Sequence, residues 1–127
     1  MADALKKILI VEDHATIRLL FRKILERRKD VDVQATSTGE LAEKILAGEP
    51  FALVIMDYHL PRQDGLETVR HLREAPGTKG VPIVMCSAFD VQGQALAAGC
   101  NDFIRKPVTI EMVQNTVAKF LGPAPAA

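Results

Sequence analysis

Five short apolar runs recur along this chain, and between each pair lies a stretch with helical periodicity. The runs are Ile8 to Val11, Val31 to Ala35, Phe51 to Met56, Val81 to Cys86, and Phe103 with Ile104. Runs this short, bounded by turn residues, read as strands. Strands that alternate with helices must pair in parallel, because each crossover is long and right-handed. A parallel sheet is covered on both faces, which accounts for strands that are apolar throughout instead of alternating.

The intervening stretches have the marks of helices. Ile17, Leu20, Phe21, Ile24 and Leu25 follow helical spacing, with Arg18, Arg22, Lys23 and Glu26 on the opposite face. A second helix opens at Ser37 or Thr38, where Ser37 and Glu40 have capping-box spacing, and closes near Gly48 with Pro50 beyond. A third runs from about Gly65 to Glu74, and a shorter one from about Val91 to Ala98 stops at Gly99. The last runs from about Thr109 to Leu121, with Ile110, Val113, Val117 and Phe120 on one face. The expected architecture is α/β: a flavodoxin-like doubly wound (βα)5 fold with a five-stranded parallel sheet of order 2-1-3-4-5.

The 127 residues fit one domain over 1–127, with a core of about 6–121 and a frayed GPAPAA tail at 122–127. Sixteen basic and sixteen acidic residues leave no net charge, which argues against a nucleic-acid partner. The first apolar run is broken at once by Glu12 and Asp13, so it is too short for a signal peptide or a membrane span. A cytoplasmic location is expected. Cys86 and Cys100 match neither a redox pair nor a zinc site, and are read as reduced, packed thiols.

The sharpest local question is why Leu53 to Met56, four apolar residues, end on Asp57. A lone aspartate there is read as a turn former before Pro61. Its company changes that reading. The doubly wound order brings Glu12 and Asp13 after strand one, Asp57 after strand three, Ser87 after strand four and Lys106 after strand five to one edge of the sheet. Three carboxylates placed together raise each other's pKa unless a cation neutralises them, and magnesium favours such oxygen ligands. A hydroxyl and an ammonium nearby suit the oxygens of a phosphoryl group, and an aspartate can carry that group as an acyl phosphate.

The segments ILIVED, LVIMDYHLPRQDG, PIVMCSA and DFIRKP together resemble the successive signatures of the response-regulator receiver domain of two-component signalling, the CheY-like kind. The resemblance spans nearly the whole chain. It implies a phosphorylation-dependent switch in which Asp57 accepts a phosphoryl group from a histidine kinase or phosphotransfer protein. It implies Mg2+ held by Asp13 and Asp57, by Glu12 through water, and by the backbone carbonyl of His59. Ser87 matches the hydroxyl that turns toward the phosphate, Lys106 the lysine that pairs with it, and Phe103 the switch aromatic. The Lys106–Pro107 bond is then expected to be cis. On this reading the chain catalyses only its own phosphorylation and dephosphorylation, and it ends without an output domain. It delivers its message to a protein target through the surface of the fourth helix, fifth strand and fifth helix, or passes the phosphoryl group on.

Some positions depart from the pattern or stay open. Ser87 stands where many relatives have Thr, and Phe103 lacks a phenol. Lys106 follows Ser87 by 19 positions, about three fewer than the resemblance leads one to expect, or roughly one helical turn. The shortfall falls in the fourth helix. His59 is either a modulator of how water reaches the acyl phosphate or an idle loop residue. Glu12 and Asp13 also suit a capping role at the first helix. His14 flanks the site and His71 reads as structural. Two rival functions remain: a receiver fold that binds partners without phosphorylation, and a flavin carrier. The TSTGE stretch, Thr36 to Glu40, superficially suits the second, but it follows strand two and is better explained as a helix cap.

Overall fold

The computed structural model describes residues 4–126. In chain order the elements are β1 (Lys6–Val11), α1 (Ala15–Leu25), β2 (Val31–Thr36), α2 (Gly39–Gly48), β3 (Leu53–Asp57), α3 (Gly65–Glu74), β4 (Ile83–Ser87), α4 (Gln92–Ala98), β5 (Asp102–Arg105) and α5 (Ile110–Leu121). The sheet has the order β2-β1-β3-β4-β5, and every pairing is parallel. The expected doubly wound topology is therefore the observed one.

Alternation along the central strands splits the core in two. Leu9, Val11, Val54, Met56 and Met85 pack against Ala42, Leu46, Leu66, Val69, Leu72 and Ala95 of α2, α3 and α4. Ile8, Ile10, Leu53, Ile55, Val84 and Cys86 pack against Phe21, Ile24 and Leu25 of α1 and Val113, Val117 and Leu121 of α5. Strands β3 and β4 are buried at every residue, the signature of a sheet sandwiched between helices. Cys86 and Cys100 are free and buried, and burial pushes their thiols up to about 12 and about 11, so both are protonated near neutral pH.

Several local expectations shift. The third strand begins at Leu53, two residues after Phe51, and the fourth at Ile83, because Pro82 contributes only its carbonyl, to the Val54 N–H. Ser37 does not cap α2; the Thr38 hydroxyl does, accepting from the Leu41 N–H. That bond accounts for TSTGE as the helix cap it was expected to be. On α1 the buried stripe is Phe21, Ile24 and Leu25, while Leu20 is exposed beside Leu19. On α5 the buried positions are Val113, Thr116, Val117 and Leu121, leaving Ile110 exposed. Neither helix buries a residue in its first three positions; full burial begins at Phe21 on α1 and at Val113 on α5.

The tail is also less free than expected where it leaves α5. Arg28 donates to the carbonyls of Leu121 at 3.1 Å and Gly122 at 2.7 Å, and Lys6 donates to Leu121 at 2.9 Å. These cations satisfy the carbonyls that end the helix. The remainder of the expected tail at Ala127, and the first three residues of the expected domain, lie outside the described residues.

Candidate functional site

Register delivers the acidic residues to one place. Val11 pairs with Met56, so the next residues along, Glu12 and Asp57, emerge side by side at the carboxyl ends of β1 and β3. Carboxylate oxygens of Glu12, Asp13 and Asp57 all lie within 4.8 Å of one another. Glu12 and Asp57 are only 3% and 5% exposed, whereas Asp13 faces solvent. Lys106, one residue beyond β5, reaches across two strands to place Nζ 2.6 Å from Asp57 Oδ1 and 3.3 Å from Glu12 Oε1.

One ammonium does not balance three carboxylates. Burial raises the pKa of Asp57, with Asp13 adding to the shift, and the Lys106 contact is not enough to reverse it. Glu12 is raised too, by burial first and by the Asp57 charge second. Burial by itself lowers the pKa of Lys106, but its hydrogen bond to Asp57 and the charges of Asp57 and Glu12 outweigh that and hold it above the ordinary value. The cluster thus carries surplus negative charge at a site where two of its three acids are buried, a donor set that fits a hard divalent cation.

The backbone around these acids is held by ties of its own. Arg18 donates to the carbonyl of Glu12 at 2.8 Å, and the Glu12 carboxylate accepts from the His14 N–H at 3.2 Å. The residue at the N-cap of α1 is His14, which makes no side-chain capping bond, so the capping role considered for Asp13 does not materialise. Gly65, first residue of α3, donates its N–H to the Tyr58 carbonyl at 2.8 Å. A β-carbon there would sit 2.4 Å from the Asp57 carbonyl oxygen and 3.0 Å from Tyr58 Cα. Only glycine lets the helix start this close to the acid-bearing strand. The Asp64–Gly65 pair at the start of the helix is the sequence signal for it.

Ser87 ends β4 buried, and its hydroxyl accepts from the Phe89 N–H at 3.0 Å. The Lys106–Pro107 peptide is cis, as expected. Phe103 is half-buried at the edge of the α2–α4 side of the core. His59 is exposed, with its ring edge-on to Tyr58 at 4.9 Å between centroids and to Phe89 at 5.0 Å. Phe89, half exposed on the β4–α4 turn, was not foreseen; an isolated ring in a loop carries no periodic signal. His71 pairs with Glu43 at 3.1 Å between α3 and α2, a structural contact. α4 spans seven residues, the shortest helix among the described residues.

The model of the response regulator receiver domain family matches residues 8–118. The chain belongs to that family. This receiver domain is 31% identical over 120 residues to the chemotaxis protein CheY1 of Helicobacter pylori, covering 91% of this chain and 97% of that one. It is 36% identical to the response regulator PilR of Pseudomonas aeruginosa, covering 91% of this chain but 26% of PilR. Among solved structures it resembles the receiver domain of a sensor histidine kinase from Pseudomonas aeruginosa, which has a magnesium ion coordinated in its active-site cleft. The TM-score is 0.84 and the identity 27%, covering 94% of this chain and 99% of that one. A receiver domain of two-component signalling accounts for the fold and for the acids at the switch point of the sheet. Among the described residues no helix is long and apolar enough to cross a membrane.

Proposed function

We propose that this receiver domain takes a phosphoryl group from a phosphohistidine donor onto Asp57, with Mg2+ held by Asp13, Asp57, the His59 carbonyl and, through water, Glu12. The observation that carries this reading is the Asp57 carboxylate, buried among two other acids and hydrogen-bonded to Lys106 at 2.6 Å. When bound, the metal supplies positive charge to the oxygens of the transferring group.

The chain's own residues do the rest. An Asp57 oxygen attacks phosphorus, the P–N bond breaks, and its electron pair stays with the donor imidazole, which leaves neutral with a proton on its other nitrogen. Lys106 steadies the negative charge on the phosphoryl oxygens, and Ser87 rotates to donate its hydroxyl to one of them. In dephosphorylation Asp57 is the leaving group: water attacks phosphorus, the P–O bond to Asp57 breaks with its electron pair staying on the carboxylate, and phosphate departs with the water's protons. Catalysis is thus self-directed, with no separate substrate turned over. His59, exposed beside Asp57 and packed on Phe89, is placed to modulate how that water arrives. Ser87 rotation lets Phe103 pack further inward, altering the α4–β5–α5 surface presented to a protein target or to the next phosphotransfer partner. A cytoplasmic location goes with this reading.

The brevity of α4 favours a second reading, a receiver fold that binds its partner whether or not it is phosphorylated. Acetyl phosphate and Mg2+, followed by intact-mass spectrometry, test the first. One phosphoryl addition in the wild type and none in Asp57→Asn is expected; equal addition in both, or none in either, overturns it. Capture of a partner by the beryllofluoride-treated protein but not by the free protein separates the switch from the constitutive binder.

A further inference from the structure

The turn that follows Ser87 has little apolar packing to hold it. Ala88, Phe89 and Asp90 are all exposed and lie outside regular structure. Polar ties therefore set where the turn sits. One is internal, the Phe89 N–H on Ser87 Oγ. Another comes from β5, where Arg105 is the register partner of Ser87. Strand alternation puts the Arg105 side chain on the same sheet face as those of Ser87 and Phe103. From there Arg105 Nε donates to the Ala88 carbonyl at 2.8 Å. On the opposite flank the Phe89 ring meets His59.

We infer that Arg105 is a positioning residue for Ser87: its bond to the Ala88 carbonyl latches the β4–α4 turn to β5 and restrains the serine hydroxyl from reaching a phosphoryl group on Asp57. The inference rests on the phosphoacceptor reading of Asp57. To reach that group, Ser87 must release the Phe89 N–H, and the turn must move away from Arg105, which lets go of the Ala88 carbonyl. A charged donor on a carbonyl makes a stronger restraint than a neutral one. A latch present only in the resting arrangement biases the switch toward rest, and its removal shifts the population toward the phosphate-binding arrangement.

The sign of the effect separates a latch from plain electrostatics. Removing a nearby positive charge weakens binding of an anion, whereas removing a resting-state latch strengthens it. Beryllofluoride with Mg2+ is the probe, and its affinity is read by titration. Arg105→Ala is expected to bind it about three- to tenfold more tightly, the range for loss of one hydrogen bond. Arg105→Lys, which keeps a donor, is expected to stay near the wild type. Unchanged or weaker affinity in Arg105→Ala, or the same gain in Arg105→Lys, overturns the latch. If the wild type takes up no beryllofluoride, it is the phosphoacceptor reading that falls. The latch is then judged on the Phe89 amide in the ligand-free protein: its hydrogen exchange is expected to be several-fold faster in Arg105→Ala, and equal exchange overturns it.

Discussion

From just beyond β5, two places away in the sheet from β3, Lys106 Nζ donates to Asp57 Oδ1 at 2.6 Å, and the same ammonium lies 3.3 Å from Glu12. Lys106→Met leaves two buried carboxylates without their cation. Because the site is partly open to water, the expected loss is about 1–2 kcal/mol, below the value for a fully buried pair. Phosphoryl uptake from acetyl phosphate is expected to slow by about 100-fold, the scale for removing one group that stabilises transition-state charge. Urea denaturation and time-resolved mass spectrometry read the two effects, and uptake at the wild-type rate refutes the role given to Lys106.

Asp57 and Glu12 carry pKa values raised chiefly by burial, so the folded chain holds their protons more tightly than the unfolded chain does. Their ionisation opposes folding. The penalty is absent below the ordinary carboxylate pKa, grows as pH rises through that value toward the raised folded one, and is constant above it. Asp57→Asn removes one such charge and leaves Lys106 with Glu12. Its stability advantage over the wild type is expected to widen from about pH 3 toward neutrality and to reach on the order of 1 kcal/mol. Urea midpoints measured across that range check it; a less stable Asp57→Asn at pH 7 contradicts it.

The surplus negative charge predicts that Mg2+ stabilises the fold. At a concentration 100 times its dissociation constant the gain is about 2.7 kcal/mol by mass action. Asp13→Asn is expected to abolish most of that gain while folding normally, since Asp13 is exposed and supports no packing. Thermal melts with and without Mg2+ decide the matter, and an equal rise in both proteins argues against Asp13 as a ligand.

Gly65→Ala puts a methyl group against backbone atoms of Asp57 and Tyr58, which cannot swing aside as a side chain would. Overpacking of this kind costs about 1–3 kcal/mol and displaces the end of β3, so slower phosphoryl uptake accompanies the lower stability. Gly93→Ala, in α4 with nothing within 4 Å of the new atom, is the control and is expected to be neutral or stabilising by up to about 1 kcal/mol. Equal melting temperatures for the two variants would falsify the close-approach argument.

Much of the site was legible before any coordinates, because its parts follow strongly patterned strands. Glu12, Asp57 and Ser87 are each the first polar residue after an apolar run, and doubly wound connectivity sends all those ends to one edge. Periodicity served less well at the rims of helices. Leu20 fits a helical stripe as well as Phe21 does, yet it is exposed, since the spacing defines a stripe but not how wide an arc of the helix the sheet covers. Ser37 and Thr38 are equally good caps by composition, and the choice fell to Thr38 through its bond with Leu41. Phe89 and Arg105 had no pattern to announce them.

The element types, their order and the identity of the reactive edge follow from the chain's local chemistry: apolar runs too short for helices, amphipathic stretches between them, and acids at the run ends. Pairings between distant groups do not follow from it. Lys106 lies 94 positions from Glu12 and 49 from Asp57, and the bond of Arg105 to Ala88 spans 17. Such contacts depend on strand register and on the course of two turns, accumulated over the whole sheet. Periodicity is a property of neighbours in sequence, whereas a shared ammonium or a latched turn is a property of neighbours in space.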